Sequence, residues 1–112
     1  MWMKESKYHS RKTEVDGITF DSKKEAERYC DLRMMQKAGM IRDLVRQKYF
    51  EIIPKTDKYR ACYYVADFVY TTYDGKEVIE DVKGYKSGQA YQLFTIKKKL
   101  VYERYGIEIT EI

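Results

Sequence analysis

Between Tyr59 and Lys83 the chain carries the pattern that most restricts its fold. Tyr59–Thr72 is rich in tyrosine, valine and phenylalanine, Tyr73-Asp74-Gly75-Lys76 makes a turn, and Glu77–Lys83 returns. Aromatic and β-branched residues suit a pleated, half-buried surface, and Asp-Gly is a tight-turn signal. A chain with this hairpin must build a sheet and cover it. The rest of the sequence supplies the cover. Thr13–Phe20 holds Asp16-Gly17 between short apolar pairs and reads as a small hairpin. Ser22 with Glu25 three residues on opens a helix that runs to about Lys37 and stops at Gly39. Gln47–Pro54 reads as a strand ended by its proline. Ser87–Tyr105 reads as a second helix closed by Gly106, and Ile107–Ile112 as a last short strand. The order is a helix, a three-stranded meander, a helix and a strand, an α/β arrangement with helices packed on a sheet.

Composition removes several functions. The 112 residues fit one domain. No apolar run approaches the ~20 residues of a membrane span, and Met1-Trp2-Met3-Lys4-Glu5 turns polar too soon for a secretory signal. Cys30 and Cys62 lack paired spacing and read as reduced thiols, which together with the missing signal suggests a cytoplasmic protein. A single histidine, His9, leaves Ser-His-Asp, Cys-His and Cys/His zinc chemistry without residues. Glycine-rich phosphate loops are absent. The net charge of +4 hints at a polyanionic partner. Its distribution says more: Lys83, Lys86, Lys97, Lys98 and Lys99 follow directly on the acid-rich run Asp74, Glu77, Glu80, Asp81.

Strand parity sharpens that junction. Ile79, Asp81 and Lys83 share one face of Glu77–Lys83; Val78, Glu80 and Val82 share the other. Asp67 interrupts the apolar run Val65-Ala66-Asp67-Phe68-Val69, and the turn brings it level with Asp81. Two carboxylates and a lysine then converge on one patch of sheet. Adjacent carboxylates repel and raise one pKa unless a divalent cation lies between them, and Mg²⁺ takes one or two carboxylates plus water and phosphate oxygens. An Asp–Lys ion pair with no ligand satisfies the same spacing. Glu80, on the opposite face, reads as a surface acid or one set behind the site.

At these residues the sequence resembles the PD-(D/E)XK nuclease superfamily, and is most similar to its small phage-borne endonuclease-like members. The matching stretches are Ser22-Lys23-Lys24-Glu25-Ala26, Ala66-Asp67-Phe68 and Asp81-Val82-Lys83-Gly84, with Ala66 where the signature has proline. The resemblance implies a restriction-endonuclease-like αβββαβ core over residues 13–112, with a mixed four-stranded sheet flanked by helices. Residues 1–12 are left as a flexible basic arm. It implies Asp67 and Asp81 as metal ligands, the Val82 carbonyl as a further ligand and Lys83 as the catalytic lysine. It implies a helix carboxylate as well, for which Glu25 and Glu27 compete. Glu25, also explained by its capping box, is favoured. Mg²⁺ is the implied cofactor, with Mn²⁺ able to substitute.

Around this set, Lys97 falls between two apolar stripes of the second helix, Leu93-Ile96-Leu100 and Ala90-Phe94-Val101. It either snorkels to solvent or leans toward a phosphate. Lys98 and Lys99 point outward. Tyr85 and Lys86 border the same place, so Tyr85, Lys86 and Lys97 are the expected DNA contacts. Tyr59, Tyr63, Tyr64, Tyr70 and Tyr73 read as strand packing. The expected function is a metal-dependent DNA endonuclease of phage or prophage origin, acting on branched or junction DNA. A homodimer would let so small a unit cut two strands. The alternative is a non-catalytic nucleic-acid-binding module.

Overall fold

Asp16 and Gly17 both take the left-handed backbone, with φ of 54° and 77°. That is the requirement of a type I′ turn, whose twist matches paired strands. Strands β1 (Thr13–Val15) and β2 (Ile18–Phe20) form the two-stranded hairpin it closes. This computed structural model describes residues 12–84 and 86–112. Residues 1–11 of the expected arm, with His9, and Tyr85 lie outside them.

Helix α1 spans Lys23–Lys37. Ser22 caps it by accepting the Glu25 N–H on its hydroxyl at 3.1 Å, which satisfies one of the orphan donors at the helix start. Next come β3 (Ile41–Ile53), β4 (Cys62–Thr72) and β5 (Glu77–Asp81). Helix α2 (Gly88–Tyr105) and β6 (Ile109–Glu111) complete the chain. The sheet order is β3-β4-β5-β6, antiparallel through the meander and parallel between β5 and β6. The fold is therefore α/β, one domain with a mixed four-stranded sheet and a helix on each face.

Two separate apolar clusters hold the layers. On the α1 side lie Phe20, Ala26, Leu32, Ile41, Phe68 and Tyr70. On the α2 side Phe94 and Val101 meet Phe50, Tyr64, Ala66, Ile79 and Ile109. Strand β4 serves both, and not by simple alternation. Tyr64 and Ala66 face α2, whereas Phe68 and Tyr70 face α1. β3 switches with it, since Leu44 packs toward α1 and Phe50 and Ile52 toward α2. Between the registered pairs Arg46–Phe68 and Lys48–Ala66 lie Gln47 and Asp67. Gln47 takes φ 53°, the left-handed region that non-glycine residues rarely visit. The two strands thus exchange faces at Asp67.

Several expected boundaries move. β3 starts at Ile41 rather than Gln47, because left-handed Asp43 (φ 59°) and a register shift after Arg42 hide its alternation. β4 starts at Cys62, since Tyr59 sits in a turn where the Thr56 hydroxyl accepts the Lys58 and Tyr59 N–H groups. β5 ends at Asp81, so Lys83 lies just beyond the strand. On α2 Phe94 and Val101 supply the buried contacts, while Ala90 is exposed and Leu93 and Ile96 remain 54% and 56% exposed. No described helix is long and apolar enough to cross a membrane.

Candidate active site

β5 delivers Asp81 to the carboxyl edge of the sheet, where the chain leaves pairing with β4. There Asp81 is buried and both of its oxygens are held. Lys83 Nζ lies 2.8 Å from Oδ1, and the Tyr64 hydroxyl donates to Oδ2 at 2.6 Å. Burial, followed by the Asp81 charge, pushes the Tyr64 hydroxyl well above the usual phenol range, so it stays a donor. Lys83 Nζ also sits 3.6 Å from the centre of the Phe94 ring, a cation–π contact that fixes the ammonium from the α2 side.

Asp67 approaches from β4. Its Oδ2 accepts the Val82 N–H at 2.8 Å, so the residue following Asp81 orients the other carboxylate. The Asp67 carboxyl is pushed up to about 7. Burial is the largest cause and the Asp81 charge the next, while the Val82 N–H and Lys83 pull the other way. Two carboxyl groups therefore crowd one place with a single ammonium beside them. Glu25 reaches the same field from α1. It is buried, and burial and the neighbouring Asp21 charge raise its pKa; Arg46 opposes the shift and Asp81 adds to it. Arg46 Nη2 lies 3.9 Å from Glu25 Oε2. Glu27, its competitor, is exposed.

A cleft of about 230 Å³ opens over Asp81 and Lys83. Its far wall is one face of α2: Ala90, Leu93, Phe94 and Lys97. The structure thus gathers Asp67, Asp81, Lys83 and Glu25, sets Lys97 at the rim and packs the Val82 side chain toward α1. Lys86 is exposed and turned to Glu111, 3.9 Å away. Lys98, expected to point outward, instead donates to Glu111 Oε2 at 3.0 Å, because β6 places that acid next to α2. Glu80 lies on the opposite face as parity requires, and of its two expected readings the surface one fails: it is 1% exposed and gripped by Arg28 at 2.8 and 2.6 Å and by the Tyr70 hydroxyl at 2.5 Å, set behind Asp81.

Sequence reasoning passed over Tyr64, Phe94 and Lys24. The first two were assigned to packing, which is also true of them. Lys24 donates to the Lys83 carbonyl at 2.9 Å and ties α1 to the loop after β5. No sequence signal marks Tyr64: its facing toward α2 follows from the Phe50–Tyr64 register and the packing of both against α2.

As to metal, among the described residues no three His, Cys, Asp or Glu side chains stand as a ready ligand set. The donors that fit a hard cation are the pair Asp67 and Asp81. Oxygen donors and a site open to solvent and phosphate match Mg²⁺, which is held by one or two carboxylates and keeps several waters. The raised Asp67 pKa is the observation that favours a cation, since a divalent charge would relieve the repulsion that causes it.

No curated protein and no solved structure matches the chain. One family model does match, over residues 5–110, nearly the whole length on which these elements and this site are built. The chain belongs to that family, described as a protein of unknown function, DUF1064.

Proposed function

We propose that the protein is a Mg²⁺-dependent DNA endonuclease of the PD-(D/E)XK type. The observation that carries this reading is the mutual repulsion of the neighbouring carboxylates Asp67 and Asp81, with Lys83 clamped on Asp81 where a cleft opens. The resemblance of Ala66-Asp67 and Asp81-Val82-Lys83 to the nuclease signature supports it. When bound, Mg²⁺ polarises the phosphodiester and lowers the pKa of a bound water. The chain's own part is positional and electrostatic. Asp67 and Asp81 would hold the cation, with Glu25 and the Val82 carbonyl as the further oxygen donors that the resemblance implies. Tyr64 fixes Asp81 through Oδ2. Lys83 offsets the charge that grows on the phosphate oxygens during attack. Lys97, at the rim, meets the backbone phosphate. By the same resemblance, branched or junction DNA is the preferred substrate, in a phage setting and with a dimer cutting paired strands.

A second reading is a nucleic-acid-binding module without catalysis. It is favoured by the engagement of both Asp81 oxygens within the chain. One experiment separates the two: incubate supercoiled plasmid and a four-way junction with Mg²⁺ or Mn²⁺, wild type beside Asp81→Ala. Metal-dependent cleavage lost in Asp81→Ala supports the endonuclease. DNA binding with no cleavage by either protein supports the module.

A further inference from the structure

The lower half of the sheet, beyond the face exchange at Asp67, has one bare side. Tyr63 and Val65 alternate with Tyr64 and Ala66, which face α2, so they point to the side that α1 covers only above the exchange. Tyr49 on β3 pairs with Val65 and joins the same row. Tyr49 is 66% and Tyr63 44% exposed, and their rings meet edge to face with centroids 6.0 Å apart. Two large aromatic rings set edge to face on an uncovered strand pair offer a surface on which a planar ligand can stack. The flanking loop carries Lys55, Lys58 and Arg60 against Asp57, all exposed. The row runs toward the candidate site. Val65 sits where β4 borders the cleft over Asp81 and Lys83, whose α2 wall lies on the other face of the sheet, and Tyr63 lies roughly 13 Å from Asp67 at ~3.3 Å per strand residue. That span is a few nucleotides.

We infer that Tyr49 and Tyr63 form a stacking platform for unpaired DNA bases next to the phosphate held at the Asp67–Asp81 site. The inference deepens the endonuclease reading by naming what the site's neighbourhood recognises. Bases in a duplex stack on each other and cannot present their faces to a ring, so the platform selects single-stranded DNA, as at a junction or flap. Stacking accepts any base because every base has a π face. The basic loop tracks the backbone and supplies the charge complement.

The test uses full-length protein in EDTA, with labelled oligothymidylate and a hairpin duplex of equal length, read by fluorescence anisotropy. Tyr49→Ala/Tyr63→Ala should bind the single strand about tenfold or more weakly and the duplex as wild type does. Tyr49→Phe/Tyr63→Phe should bind both nearly as wild type, because the ring is kept. Four results each overturn the platform: an alanine variant that binds the single strand normally, an equal loss on duplex, a phenylalanine variant as weak as the alanine one, or a wild type with no affinity for the single strand. A wild-type dimer that the alanine pair splits would give the face to a second copy and overturn it too. Thermal melting of both variants checks that each is folded. Since no metal is present, a protein that passes here yet never cleaves DNA sinks the endonuclease alone.

Discussion

Asp67 holds a carboxyl whose folded pKa of about 7 stands above its ordinary 3.8. The raised value means that the folded state holds this proton more tightly than the unfolded chain does. The associated stability is complete below about pH 4 and is lost as pH rises through about 7. Metal-free protein should therefore lose melting temperature across that window, and Asp67→Asn should flatten the loss. Above pH 7, Mg²⁺ should raise the wild-type melting temperature and leave Asp67→Asn unmoved. A wild type whose melting is indifferent to both pH and Mg²⁺ would contradict the crowded pair. Lys83 and Lys97 differ in a way that kinetics can read. Lys83 is fixed between Asp81 and the Phe94 ring, so Lys83→Ala should slow single-turnover cleavage by roughly 10²-fold or more. Lys97, at the cleft rim, should instead act on binding, its alanine variant lowering the salt slope of affinity by up to about one unit. A Lys83 variant that cuts at the wild-type rate leaves that lysine only as the ion-pair partner of Asp81.

At the scale of elements, α1 is unusual in turning charge toward the sheet. Partly buried Arg28 and buried Glu80 form a bidentate pair that Tyr70 completes, and the pair pins α1 to β5 behind Asp81. Arg28→Met leaves a nearly inaccessible carboxylate without its cation and should cost ~3–5 kcal/mol. Ser22→Ala, which removes the helix cap, should cost only ~1 kcal/mol. Chemical denaturation of both variants tests the ranking, and equal losses would show that Arg28 is dispensable to the interface. These elements differ in how far they could be read from sequence. Helix α1 and the β4–β5 hairpin announce themselves through the Ser22 cap, the Asp74-Gly75 turn and dense aromatic content. Parity on β5 correctly separates Asp81 from Glu80, because that strand is regular. The first half of β3 is hidden, since Asp43 and Gln47 adopt left-handed backbone that no periodicity shows. The burial of Glu80 is hidden as well, since its compensation comes from Arg28 on a distant helix. Leu93 and Ile96 mislead for a related reason: two apolar stripes compete on α2, and only tertiary packing decides which faces inward.

For the whole molecule, the charge pattern predicts how binding and cutting come apart. Asp81→Ala removes a carboxylate from the proposed phosphate site. In EDTA it should bind DNA as tightly as wild type or more so, and with Mg²⁺ it should not cleave. Filter binding beside a plasmid assay reads both, and a variant that loses binding would mean that Asp81 supports the fold rather than the site. The face exchange at Gln47 and Asp67 bears on something else, the chain's tolerance of insertions and deletions. Side chains on a strand change sides with every residue added or removed. A single deletion between Tyr64 and Phe68 would send core residues of one cluster into the other and displace the carboxylate at the crossing. The same deletion in the exposed turn at Tyr73–Lys76 would be absorbed locally. Around Asp67, residue count is constrained as tightly as residue identity.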